Sequence, residues 1–101
     1  RILFEGTLTS SSVYPREVLV SALQHNAAAV IFAHNHPSGD VTPSDSDIRI
    51  TRKLCFALKY AGIVVHEHMI VGCNDETYSF AAQGLISDFN RDFNRECGEP
   101  A

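Results

Sequence analysis

The sequence predicts a single α/β domain with its elements in the order β-α-β-α-β-β. Three observations carry that reading. Apolar residues recur at three-to-four spacing in two stretches, one through Val18, Leu19, Ala22 and Leu23 and one through Ile48, Leu54, Leu58 and Ala61. A solid apolar run over 27–33 lies between them, and a β-branched segment over 63–71 follows the second. With 101 residues, 45% of them apolar and 20% charged, the chain has room for one hydrophobic core and an ordinary globular composition, which excludes collagen-like and wholly disordered classes.

Taken in order, residues 1–8 are rich in strand formers, and Thr9, Ser10, Ser11 and Ser12 then break the strand. Pro15 suits the first position of a helix, where its missing N–H costs nothing, and Glu17 complements the positive end of the helix dipole. Asn26 is a terminator, so the first helix is expected over 15–26. The run over 27–33 is too short for a typical helix and suits a strand covered on both faces, which makes it the expected central strand. Two prolines and a glycine turn the chain sharply over 34–43. Ser44, Asp45, Ser46 and Asp47 then have the Ser-x-x-acid form of a helix start, and Gly62 sits where a left-handed cap would close a helix over 45–61. The β-type run over 63–71 holds His66, Glu67 and His68 at its centre, residues 72–76 turn, and a short strand forms near Tyr78, Ser79 and Phe80. Residues 87–101 are expected to be a tail, a frayed helix or disordered, set apart from the domain over 1–86. Within it Asp88-Phe89-Asn90-Arg91 is repeated at once by Asp92-Phe93-Asn94-Arg95, far too short a unit for a solenoid.

Eight basic residues against twelve acidic ones give a formal charge of −4, the wrong sign for a protein that grips phosphates, so direct nucleic-acid binding is not expected. No apolar run is long enough to cross a bilayer and no leader opens the chain, so no membrane partner is expected. Cys55, Cys73 and Cys97 are odd in number and widely spaced, which fits a reducing, cytoplasmic setting better than a disulfide framework. The chain opens on Arg1 inside a strand-like segment, so a longer parent protein is expected.

The chemistry concentrates in residues 34–47. His34 and His36 are separated by one residue, and at a strand end alternate side chains share a face with Cα atoms roughly 7 Å apart, close enough to hold one metal ion between two imidazoles. Asp47, eleven residues after His36, falls in the first turn of the next helix, which the turning loop can bring back over the strand end. Two neutral imidazoles and one carboxylate leave Zn²⁺ with net positive charge and an open fourth position, the make-up of a catalytic and not a structural site. Asp47 can equally be the acid of a capping box begun by Ser44, and histidines after a buried strand can simply satisfy loop carbonyls; the capping and metal roles of Asp47 can coexist.

His34, His36, Ser44 and Asp47 stand at the spacing His-x-His, seven residues, Ser, two residues, Asp, which resembles the JAMM signature of MPN/JAB-type metalloproteases. The wider text narrows the likeness: His-Asn-His-Pro-Ser-Gly over 34–39, Pro15-Arg16-Glu17, and His68-Met69-Ile70-Val71-Gly72 are similar to the bacterial RadC family across about residues 1 to 86. The resemblance implies a cytidine-deaminase-like, three-layer α/β/α domain with a mixed sheet. It also implies His34, His36 and Asp47 as zinc ligands, Ser44 near the oxyanion, and metal-assisted hydrolysis of a peptide or isopeptide amide. Such enzymes use an upstream glutamate as general base, expected here ahead of Arg1; of the acids present, Glu17 is assigned to its helix end and Glu5 is the remaining candidate. Without that base the chain is expected to bind metal and turn over little. The rival expectation is a non-catalytic MPN module acting as an interaction or DNA-metabolism adaptor of a protein associated with DNA repair.

Other signals lead elsewhere. The letters His34-Asn35-His36 spell the name of the HNH nucleases, whose named residues are not consecutive, and a −4 domain lacks a nuclease's positive field. A nucleobase deaminase needs His-x-Glu with Pro-Cys-x-x-Cys, and a zincin needs His-Glu-x-x-His on a helix; the chain has neither. Glu67 and His68 are candidates to orient a ligand from behind, set against the simpler expectation that they face solvent or satisfy backbone groups. His25 suits the C-terminal end of its helix, and Cys55 is a small buried apolar group.

Overall fold

A computed structural model describes residues 15–36 and 38–97. The strand expected over 1–8 and Glu5 with it lie outside the described residues. The elements are α1 (Pro15–Gln24), β1 (Ala29–Asn35), α2 (Asp45–Tyr60), β2 (Val64–Val71), β3 (Thr77–Ser79) and α3 (Leu85–Glu96). β1 and β2 pair in parallel and β2 and β3 antiparallel, so the α/β class with a mixed sheet is as the sequence led us to expect. Parallel neighbours need a crossover between them, and α2 is that crossover.

Both helix ends that the sequence marks are closed by the same device. At α1, Asn26 takes a left-handed φ of 51°, the Ala27 N–H donates to Ala22 O and the Asn26 N–H donates to Leu23 O. At α2, Gly62 sits at φ 79°, the Ile63 N–H donates to Leu58 O and the Gly62 N–H donates to Lys59 O. Each is a Schellman motif, with the residue in the left-handed position free of the usual β-carbon penalty or, for Asn, tolerant of it.

Among the described residues β1 is neither central nor covered on both faces, contrary to expectation; the strand expected over 1–8 lies outside them. Among the described residues the sheet order is β1-β2-β3, with β2 in the middle. Val30, Phe32 and His34 are buried while Ala29, Ile31 and Ala33 are exposed, Ile31 by 67%. The reason is that α1, α2 and α3 all contribute to one core, with Val18, Ala22, Leu54, Leu58, Ile86 and Phe89 meeting the single sheet face that carries Val30, Phe32, Val65 and Ile70. The described helices thus form one layer against the sheet, two of the three expected layers. β1 also runs further than expected, through His34 and Asn35, because these pair with Ile70 and Val71.

One irregularity in the ladder decides which face His68 takes. Val30 pairs with Val65, but Ile31 pairs with Glu67, so His66 is an extra residue in β2. A bulge of this kind shifts the alternation by one. Val65 faces the core, and without the bulge His68, three residues on, would face away; with it, His68 and Ile70 are buried on the same face as Phe32 and His34.

The tail expectation is likewise corrected. Residues 85–96 form a helix whose Ile86, Phe89 and Phe93 are buried. The four-residue repeat is the cause: phenylalanines four apart lie on one helical face. Phe93 meets the rings of Phe56 and Tyr60 edge-on, at centroid distances of 5.4 and 5.1 Å. Arg52 of α2 bonds Glu96 at 3.0 Å along the seam. Phe93→Ala should therefore cost about 3 kcal/mol in urea denaturation; a change within about 0.5 kcal/mol, the range of an ordinary surface substitution, would show that α3 is not docked.

Candidate metal centre

The site forms where β1 ends and α2 begins. His34 and His36, on one face of the strand end, bring their rings to a centroid distance of 4.8 Å, and Asn35 is exposed on the other side. The intervening loop is held down on the turn after β2. The His36 N–H donates to Val71 O at 3.0 Å, and the loop passes so near Gly72 that a β-carbon there would lie 2.5 Å from Gly39 O. Only glycine permits that approach.

Asp47 returns to the strand end as the third residue of a capping box. Ser44 Oγ accepts the Asp47 N–H at 3.0 Å, and Asp47 Oδ2 accepts the Ser44 N–H at 2.8 Å. One carboxylate thus closes the capping box and also faces both imidazoles. His36 Nε2 stands 3.2 Å from Asp47 Oδ2, and His34 Nε2 stands 3.8 Å from Oδ1. The side chains of His34 and Asp47 are 4% and 10% exposed and that of His36 is 19% exposed, so the site opens to solvent mainly at the His36 edge.

One ligand atom from each of His34, His36 and Asp47 lies within 4.8 Å of the others, and the three could hold a metal ion. Four ligands at 2.0–2.1 Å around a tetrahedral ion stand roughly 3.4 Å apart, against 3.2 Å for His36 Nε2 to Asp47 Oδ2 and 3.8 Å for His34 Nε2 to Oδ1. The far sides of both rings are already engaged: His36 Nδ1 bonds Asp40 O at 2.7 Å, and His34 Nδ1 bonds His68 Nε2 at 2.8 Å. The Asp40 carbonyl can only accept, so in its neutral form the His36 ring has a bare Nε2; the His34 Nε2 is bare in the tautomer that donates from Nδ1, and lone pairs so placed before a carboxylate favour a cation between them. The donor set fits a metal.

Behind His34 the structure holds residues that sequence reasoning placed elsewhere or passed over. His68 is 3% exposed, stacked on Phe80 at a centroid distance of 4.6 Å, and its Nδ1 lies 2.7 Å from Thr51 Oγ1. The expectation that His68 faces solvent or backbone is overturned by the bulge. For Glu67 the simpler expectation holds: its carboxylate accepts from the His68 and Ala81 N–H groups and from the Ser79 hydroxyl, and so anchors the segment after β3. Thr51 is one turn beyond Asp47 in α2, and a hydroxyl in the otherwise apolar stripe of Leu54, Cys55 and Leu58 is the signal that could have found it. Glu17 is exposed in the first turn of α1, in keeping with a helix-end role. Cys55 is buried, its thiol pushed up to about 12 by burial.

The electrostatics keep both buried rings neutral. Burial lowers the pKa of His34, Asp47 opposes this, and His36 adds to the lowering. His68 falls to about 4, through burial first and His34 next, against the pull of Asp47 and Glu67 and with a small further push from His36. Burial works against the Asp47 carboxylate, but the Ser44 hydrogen bonds, with His34 and His36 behind them, hold it below the usual carboxylate range.

Fold and site together define an α/β domain with a three-donor centre at the carboxyl end of a strand. A family model described as a RadC-like JAB domain matches residues 1–85, and the chain belongs to that family. It is 56% identical over 84 residues to a UPF0758 protein of Ralstonia pickettii (strain 12J), the match taking in 83% of this chain and 37% of that protein. It is 60% identical over 84 residues to UPF0758 protein Nmul_A2138 of Nitrosospira multiformis, again 83% of this chain and 37% of the relative. Against UPF0758 protein VP0184 of Vibrio parahaemolyticus it is 56% identical over 85 residues, 84% of this chain and 38% of the relative. The chain thus spans well under half the length of these relatives. Among the described residues no helix is long and apolar enough to cross a membrane.

The His68 shift has a consequence for stability in the metal-free protein. The unfolded chain protonates this group near 6.5 and the folded chain near about 4, so the unfolded state binds more protons between those values. Stability is therefore full above pH 6.5 and declines as pH falls towards about 4, by on the order of 3 kcal/mol from His68, with His34 acting in the same direction. Urea denaturation of chelator-treated protein at neutral pH and near pH 4 should show this loss, and a flat profile would contradict it.

Proposed function

We propose that this domain is a zinc-dependent hydrolase of the JAMM type that cleaves a peptide or isopeptide amide. The observation that carries the proposal is the convergence of His34, His36 and Asp47 with both ring Nδ1 atoms already bonded on the far side. When bound, zinc supplies a Lewis acid and lowers the pKa of a water from about 16 towards about 7.

The chain's own residues would do the rest. His34 and His36 bind through neutral Nε2 atoms and Asp47 through its carboxylate, leaving net positive charge where an amide oxygen gains negative charge. Ser44 Oγ accepts the Asp47 amide, which leaves its own O–H as a donor to that oxygen. The exposed edge at His36 is the approach for substrate. The proton acceptor is a glutamate expected ahead of Arg1, so turnover is to be assayed at the length of the relatives. The formal charge of −4 argues against nucleic acid as the partner, and the odd, widely spaced cysteines favour a reducing, cytoplasmic setting.

Metal analysis should find one zinc per wild-type chain, lost in His34→Ala and Asp47→Asn. Tagged peptide and isopeptide libraries should be cleaved in a chelator-sensitive way. A zinc-free wild type, or cleavage that survives Asp47→Asn, would overturn the reading and leave the non-catalytic adaptor.

Ser44 can be tested apart from its cap. Ser44→Ala should cost about 1 kcal/mol of stability and on the order of a hundredfold in kcat. Ser44→Asp restores a good cap without a donor and should recover stability but not turnover; recovered turnover would remove the hydroxyl from the chemistry.

A further inference from the structure

His36 is oriented locally, by a carbonyl of its own loop, whereas His34 is oriented by side chains from two other elements. We propose that His68 and Thr51 are positioning residues that hold the His34 imidazole as its Nδ1–H tautomer and so aim a bare Nε2 at the point between His36 and Asp47. The functional consequence rests on the metal reading above; the tautomer itself rests on a count of protons along a buried chain of hydrogen bonds.

The count begins in α2. The Thr51 hydroxyl has one proton and donates it to Asp47 O, one turn earlier, at 2.7 Å. Thr51 Oγ1 can then only accept from its other partner, His68 Nδ1, at 2.7 Å. His68 Nδ1 therefore carries the proton of that neutral ring, and its Nε2 is an acceptor. The group facing it at 2.8 Å, His34 Nδ1, must be the donor. His34 Nε2 is left with a lone pair.

Reversing every proton gives the competing arrangement, and distance decides against it. The His34 proton would then sit on Nε2, where the nearest Asp47 oxygen is 3.8 Å away, beyond hydrogen-bond reach. The reversed chain would also give up the Thr51 bond to Asp47 O. The first arrangement makes three bonds of 2.7–2.8 Å and the reversed one makes two. Phe80, stacked on one face of His68, and Phe32, edge-on at 6.2 Å, leave that ring little freedom to find other partners.

The arrangement also couples two of the three donors. Thr51 bonds the backbone of Asp47 directly and reaches His34 through His68, so β1, β2 and α2 meet in one buried chain. Removing the Thr51 hydroxyl strands the His68 Nδ1–H in an apolar setting. The ring escapes by moving its proton to Nε2 and donating to His34 Nδ1, which drives the His34 proton onto Nε2, the atom that should bind the cation.

The test uses the full chain and two readouts. Nitrogen-15 NMR of the ring nitrogens, on metal-free wild type, should show His34 protonated at Nδ1 and bare at Nε2; protonation at Nε2 overturns the proposal. Thr51→Val should move His34 towards the Nε2–H form and weaken zinc binding 10–100-fold in competition with a chelator. Thr51→Ser, which keeps the hydroxyl, should restore both, a rescue that loss of packing alone would not give. Wild-type affinity in a folded Thr51→Val also overturns the proposal. Should wild type bind no zinc while His34 keeps its Nδ1 proton, the functional reading fails and the positioning claim stands.

Discussion

Two imidazole Nε2 atoms and a carboxylate face one another across less than 5 Å, each side chain tied from behind, and the rest of the structure serves that arrangement. His36 is tied to its loop, Asp47 to the Ser44 amide, and His34 to His68. Lone pairs and negative charge set face to face repel, so such a constellation is held only where surrounding hydrogen bonds over-determine it. Preorganisation of this kind lowers the ordering cost when a cation arrives.

The fold supplies each tie from a different element. The parallel ladder places His34 beside Ile70, one strand away from the His68 ring. The bulge at His66 turns His68 to the face where Thr51 and Phe80 wait. The capping box that starts α2 fixes Asp47, and the same helix delivers Thr51 one turn later. α3 closes over α2 with Phe89 and Phe93, so the element that carries both Asp47 and Thr51 is packed on its outer side as well.

What could be read in the sequence follows the range of the interactions involved. The convergence of His34, His36 and Asp47, and the cap at Ser44, were legible because strand alternation and capping spacing act over a few residues. The helix ends at Asn26 and Gly62 were legible because each residue's backbone preference acts where it stands. His68 was hidden because regular alternation from Val65 points it away, and a bulge is set by how two strands pair, which one strand's text does not carry. Thr51 is an ordinary hydroxyl until a second chain segment brings His68 to it. α3 was misjudged from its polarity and end position, although the four-residue period of Phe89 and Phe93 already placed both rings on one face. The one-sided burial of β1 among the described residues depends on which face the helices cover, a tertiary outcome that its apolar run alone did not specify.

Zinc K-edge absorption spectroscopy of the zinc-loaded protein tests the central claim most directly, because it reads the atoms around the ion whatever the protein does with it. The account requires two imidazole nitrogens and carboxylate or solvent oxygen at about 2.0–2.2 Å, with no sulfur. A sulfur shell at about 2.3 Å, from Cys55, Cys73 or Cys97, or the absence of an imidazole signal, would contradict it.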